Sequence, residues 1–151
     1  MRDLGVDVVH GDLKDPASLE PLCHDAAAVI STANTILSRR VGDTFASVDL
    51  GGHVALLDAA RRASVGRIVF VSVSPALPAS NAFVRAKRDV EEAVRAGGVP
   101  WTILQPAAFM EIHCGPPLGW DFVRARACVL GDADLPRSYV SRHDVAALAA
   151  E

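Results

Sequence analysis

The sequence predicts an α/β domain built on a doubly wound parallel sheet, and three observations predict it. The stretch Gly66 to Pro75 holds Ile68 to Val71 and Val73, broken only by Ser72, a β-branched run that reads as a strand buried on both faces. Runs of this kind alternate with helical periodicities along the chain, the pattern of βαβ units with right-handed crossovers. The hydrophobic share is 50%, and alanine and valine rather than aromatic residues carry much of it, as expected of helices packed closely on a sheet.

Taken in order, Val6 to Val9 predicts a short strand that ends in the turn His10-Gly11-Asp12. Asp15 is placed as an N-cap with Pro16 at the first helical position, where its missing N–H costs nothing, and a short helix runs to about Cys23. Ala26 to Ser31 predicts a second strand, left by the loop Thr32-Ala33-Asn34. From Thr44 to about Ala63, Phe45, Val48, Val54, Leu56, Leu57 and Ala60 recur at helical spacing. Gly51 and Gly52 interrupt that helix, which points to a strand or a ligand pressed against its backbone, or else to a locally weakened helix.

Beyond the central strand, Asn81 opens a helix that Gly97-Gly98 stops, and Trp101 to Leu104 is a further strand closed by Gln105-Pro106. Cys114-Gly115-Pro116-Pro117 breaks any helix begun at Ala107, and Trp120 to Arg126 is ambiguous. Ala127 to Leu130 and Tyr139 to Ser141 are candidate short strands, and His143-Asp144 is placed as the cap of a final alanine-rich helix.

Composition excludes several function classes. The 151 residues suffice for one domain with a sizeable core, and a net charge of -3 without any basic block gives no reason to expect nucleic acid or a membrane as partner. The three cysteines, Cys23, Cys114 and Cys128, form neither a CxxC pair nor a disulfide framework, so a reducing, cytoplasmic setting is expected. The five histidines lack metal-ligand spacing, and no metal is expected. A hydrolase built on Ser72 or Ser74 with His143 and Asp144 lacks the Gly-x-Ser-x-Gly elbow.

The chemistry-bearing residues gather at the C-terminal ends of strands, where open α/β sheets hold ligands. Three stretches are informative together: Val8-Val9-His10-Gly11-Asp12-Leu13-Lys14-Asp15 with Pro16, then Gly66 to Ser74, then Ala86-Lys87 to Phe109 with its phrase Gly97 to Pro106. Tyr139 to Ala146 adds a strand-to-helix step. In this order and spacing they resemble the NmrA-like and atypical short-chain dehydrogenase/reductase families of NAD(P)-binding Rossmann proteins, over nearly the whole chain. The resemblance implies one Rossmann-like domain over residues 1–151, with 107–151 as its substrate-side segment, and NADP or NAD as cofactor beside an unknown small-molecule substrate.

Residue by residue, the resemblance implies that Asp12 and Leu13 bracket the adenine and that Ser31, Thr32, Ala33 and Asn34 pass the riboses. It further implies that Ser72 and Ser74 occupy the region of the family's serine, that Lys87 holds the nicotinamide ribose, and that Gln105-Pro106 closes the cofactor side. On the residues alone, Asp12 also reads as a turn residue, the two serines as hydroxyls bonded to backbone, and Lys87 as a surface lysine. The family's catalytic tyrosine falls four residues before that lysine, and here the position is Phe83, whose ring transfers no proton.

The family's opening strand and Gly-x-x-Gly-x-x-Gly turn, which bind the pyrophosphate, are not found before Val6. The chain therefore matches an N-terminally truncated Rossmann domain, beginning near the family's third strand. One of three arrangements is expected: Val6 to Val9 moves in beside Ala26 to Ser31, a second copy covers the exposed sheet edge, or the sequence is a fragment of a longer product. Three functional readings stand beside them: an NAD(P)H-dependent oxidoreductase or epimerase-type enzyme, a nucleotide-sensing or regulatory module without turnover, and a truncated domain without cofactor affinity. Gel filtration tests the second arrangement, which a monomeric mass would exclude.

Overall fold

The computed structural model describes residues 5–129, 132, 134 and 136–151. Its centre is a parallel three-stranded sheet in the order β1 (Ala28–Ser31), β2 (Arg67–Val71), β3 (Trp101–Leu104). Strand β2 is the middle one, with Ile68, Val69, Phe70 and Val71 all buried, so the run that reads as apolar on both faces is apolar because both faces are covered. Between the strands run α2 (His53–Arg62) and α3 (Ala82–Ala96), and α1 (Glu20–Cys23) precedes β1. A second, two-stranded parallel sheet pairs β4 (Ala108–Phe109) with β5 (Tyr139–Val140); α4 (Met110–His113) follows β4, and α5 (Arg142–Ala150) ends the chain. The α/β class and the parallel sheet are as the sequence predicts.

The caps explain the boundaries. Asp15 accepts a hydrogen bond from the Ala17 amide at the start of a single 3₁₀ turn, Pro16–Ser18, that leads into α1. Asn81 caps α3 through the Phe83 amide, and a lysine and a glutamate on its buried face share the stripe of Val84, Val90 and Val94. Two apolar clusters follow from this packing. Leu19, Cys23, Ala59, Ala60, Val65, Ile68 and Val99 form one, and Phe70, Val90 and Val94 form the other.

Several expectations are corrected. Val6 to Val9 is not a strand: the segment is irregular and its valines are largely exposed. A short apolar run alone does not make a strand, because the backbone needs a neighbour at ladder distance, and among the described residues this segment has none. It does not move in beside β1, whose outer edge is unpaired among the described residues. Ala107 begins no helix; β4 and the single-turn α4 take its place, since pairing with β5 satisfies the backbone there. Ala127 to Val129 is irregular, and Leu130 lies outside the described residues. The stretch from Trp120 to Arg126 is a tight turn closed by an antiparallel bridge between Asp121 and Arg126. Ser141, not His143-Asp144, caps α5, accepting from the Asp144 amide at 3.0 Å, because a short hydroxyl at that position reaches the third amide of the helix.

The helix predicted from Thr44 is two pieces. Phe45–Gly52 is wound as a π-helix, started by a Thr44/Ser47 capping box, and it passes without a break into α2. The glycine pair lies at the junction. A β-carbon on Gly52 would sit 2.6 Å from the Leu13 β-carbon and 3.0 Å from its carbonyl oxygen, so the close approach comes from the loop carrying Leu13, not from a strand or a ligand. Gly52→Ala is therefore expected to destabilise the fold by about 1–3 kcal/mol, read as a lower urea midpoint at unchanged slope.

Candidate functional site

Lys87 stands at the centre of the candidate site. Its helix face is apolar apart from Glu91, so folding carries the ammonium inward, where it is 2% exposed. Its Nζ donates to the Val71 carbonyl at 3.1 Å and the Ala33 carbonyl at 3.4 Å. The amine lies 4.6 Å from the centre of the Phe70 ring and 5.8 Å from that of Phe83, a cation–π setting. Burial lowers its pKa to about 8, although the Asp49 carboxylate draws it back up. Three N–H donors and two carbonyl partners leave one donor for a further acceptor.

Two residues that the sequence reading passed over complete this end. Asp49, fully buried in the π-helical segment, accepts from both the amide (3.1 Å) and the hydroxyl of Thr35 through Oδ2, while its Oδ1 has no hydrogen-bond partner among the described residues. His53 has its Nδ1 2.6 Å from the Asp49 carbonyl, which only accepts, so Nδ1 carries the proton and Nε2 accepts from the Ser31 hydroxyl at 2.8 Å. Burial lowers the His53 pKa, the Lys87 charge lowers it further, and the Asp49 contacts oppose them. A neutral imidazole thus ties the end of β1 to the helix, and a carboxylate ties down the loop beyond it.

A second cluster lies around Glu91, also 2% exposed. Its carboxylate accepts from the Ser72 hydroxyl, from Arg88, from Arg95 at 3.2 Å and from the Gln105 amide at 3.0 and 3.1 Å. Burial pushes its pKa up, but the four hydrogen-bonding partners outweigh burial and hold it below the ordinary carboxylate range. Arg88 also donates to the carbonyls of Val73 (3.1 Å) and Ser74 (2.7 Å). The exits of β2 and β3 are therefore clamped by one carboxylate and one guanidinium.

The predicted residues separate accordingly. Leu13, Ser31, Thr32 and Ala33 line one groove of about 310 Å³ along the free edge of β1, and Lys87 reaches its rim through the Ala33 carbonyl. Asp12 shapes the turn leading there: its Oδ1 accepts from the Lys14 amide, and its own amide donates to the Ser18 hydroxyl. Asn34 accepts from the Ile36 amide and donates to the Thr32 carbonyl, holding the loop by itself. Ser72 and Gln105 belong instead to the Glu91 cluster, with Pro106 next in the chain, and the Ser74 hydroxyl accepts from the Ala76 amide. The missed residues did leave a signal: Asp49, His53 and Glu91, like Lys87, are polar residues set into apolar helical stripes, where burial forces a partner.

A parallel sheet with a lysine amine delivered to the C-terminal end of its middle strand is the frame on which dinucleotide sites are built. The model of the NAD(P)H-binding family matches residues 1–151. The chain belongs to that NAD(P)H-binding family. The ceramide reductase of Caulobacter vibrioides is 34% identical over 129 residues, which are 85% of this chain and 40% of that protein. The chain thus spans less than half the length of this relative. Among solved structures, the Bordetella bronchiseptica enzyme WbmG in complex with NAD and UDP superposes with a TM-score of 0.70 at 20% identity, over 97% of this chain and 53% of that one. The Citrobacter sp. triphenylmethane reductase complexed with NADP(H) gives 0.59 at 24% identity, over 74% and 36%. The fold of this NAD(P)H-binding chain is thus that of known dinucleotide enzymes.

The residues fit one part of the cofactor. The groove, the loop Ser31 to Asn34 and the spare Lys87 donor suit a nucleoside and ribose hydroxyls. Among the described residues no glycine-rich turn forms a cradle for the pyrophosphate; Gly11, which lines the groove, and Gly52 press on Leu22 and Leu13 instead. Because the folded state holds the Lys87 proton less tightly than the unfolded chain, the unfolded state binds more protons between about pH 8 and pH 10.4. Wild-type stability relative to Lys87→Met should therefore rise across that window, by on the order of 3 kcal/mol. Urea midpoints of both proteins along a pH series check this, and parallel curves would refute it.

Proposed function

We propose that the chain is the nucleoside- and ribose-binding part of an NAD(P)H-dependent oxidoreductase, with Lys87 as the residue that holds the nicotinamide ribose. The observation that carries this reading is the Lys87 amine, buried at the rim of the β1 groove with one donor uncommitted. The names of its relatives, a ceramide reductase and a triphenylmethane reductase, support reduction as the reaction class. When bound, the cofactor supplies the hydride; the chain's own residues bind and orient it.

In this reading Asp12 and Leu13 face the adenine, and Ser31, Thr32, Ala33 and Asn34 face the riboses. Ser72, Ser74, Gln105 and Pro106 form the strand exits beside the nicotinamide. Because the Ser72 hydroxyl is given to Glu91 and the Ser74 hydroxyl closes a turn, both serines act through the shape of the exit. Phe83 lies against Phe45 with ring centres 5.6 Å apart and planes tilted by 49°, so the position matched to the family's tyrosine is apolar here, and a phenyl ring there transfers no proton. That substitution favours a second reading, a nucleotide sensor without turnover. The unpaired cysteines fit a cytoplasmic location.

Titration with NADPH and with NADH, followed by nicotinamide fluorescence and thermal shift, tests the proposal. Without the hydrogen bonds of a phosphate cradle, at roughly 1–3 kcal/mol each, saturable binding is expected near the millimolar range. Lys87→Met should weaken it by about tenfold, the equivalent of one charge-assisted hydrogen bond. Absence of binding at millimolar nucleotide would overturn the proposal and identify a domain without cofactor affinity.

A further inference from the structure

The loop 35–42, Thr-Ile-Leu-Ser-Arg-Arg-Val-Gly, joins β1 to the π-helical segment, and neither the core nor the groove uses its central side chains. Ile36 is 56% exposed, Leu37 86% and Val41 100%. The loop is nevertheless well tied. Thr35 is held by Asp49, the Ser38 amide donates to the Thr35 carbonyl at 2.8 Å, and the Ser38 hydroxyl donates to Asp43. The Arg40 amide donates to the Ser38 hydroxyl, and the Ser47 hydroxyl donates to the Gly42 carbonyl. Its backbone order comes from these bonds, so three bulky aliphatic side chains are held out in water by a built scaffold.

The local charge of this tip is opposite to that of the chain as a whole. The whole chain is acidic, but between Thr35 and Gly42 there are two arginines, Arg39 and Arg40, and no carboxylate. The nearest acid along the chain, Asp43, is paired with Lys14 and also feels the charge of Arg40, so the three cations Lys14, Arg39 and Arg40 outnumber it. A tip of exposed aliphatic side chains with net positive charge is complementary to a surface with an anionic skin over an apolar interior. We propose that the loop 35–42 docks on an anionic lipid bilayer, with Leu37 and Val41 entering the headgroup boundary and Arg39 and Arg40 pairing with lipid phosphates. A second copy of this chain fits the tip less well, because a two-fold contact would set arginines against arginines. The loop starts two residues after Ala33, whose carbonyl accepts from Lys87, so docking would bring the bilayer to the rim of the groove.

The test needs no nucleotide, so it stands or falls separately from the proposed function. Purified chain is sedimented with vesicles of phosphatidylcholine alone and of phosphatidylcholine mixed with phosphatidylglycerol, at low and high salt. Binding to the mixed vesicles that salt weakens is expected. Leu37→Ser with Val41→Ser should lower the partition coefficient by at least about tenfold, and Arg39→Gln with Arg40→Gln by on the order of tenfold. All four side chains project from the fold, so both variants should melt as the wild type does. Wild-type protein left in solution with the mixed vesicles would overturn the proposal. So would apolar-tip variants that sediment as well as wild type, or a dimer in gel filtration that those variants dissolve.

Discussion

One buried amine organises this molecule. Lys87 reaches across from α3 to the last carbonyl of β2 and to the loop that leaves β1, so a single side chain joins three elements at the end of the sheet where ligands bind. Its charge accounts for much around it. It rests on the faces of Phe70 and Phe83, is counterbalanced by the Asp49 carboxylate, and adds to the burial that lowers the His53 pKa, so that the imidazole can accept from Ser31. Desolvation of an ammonium is costly, and the arrangement persists because each neighbour offsets part of that cost.

The Glu91 cluster is the complementary anion. It gathers donors from α3 itself and from the exits of β2 and β3, and the resulting separation is orderly: cation toward β1 and the groove, anion toward β3. Lys87 and Glu91 are one helical turn apart on the same face, yet each is satisfied by different partners. The sheet edge between them is therefore held from both sides before any ligand arrives, the preorganisation a binding surface requires.

The sequence was informative where physics is local. The β-branched run Ile68 to Val71, the Asn81 cap and the Gly97 stop are short-range signals, and β2 and α3 follow them within a residue or two. The expectation that Lys87 holds a ribose came through family likeness; the burial of Asp49, His53 and Glu91 could be read from their helical stripes, but not their partners, because these meet only when helices pack on strands. Val6 to Val9 misled for the opposite reason: its pattern satisfies the rule for a strand, but a strand is a property of a pair. Gly51-Gly52 was legible as a close approach, though not what approaches, since Leu13 lies far away in the chain.

The π-helical winding of Phe45–Gly52 gives this stretch an unusual tolerance for lost length. A π-turn carries one more residue than the α-turn it replaces, so removing one residue would let the segment relax into an ordinary α-helix while its flanks keep nearly the same facing. Phe45 would stay on the side of Phe83, and the Thr44/Ser47 box would stay near the Gly42 carbonyl it now holds. Deletions are usually absorbed in loops, but here a helix holds a residue in reserve, so length can drift at this position before the surface or the core of the molecule changes.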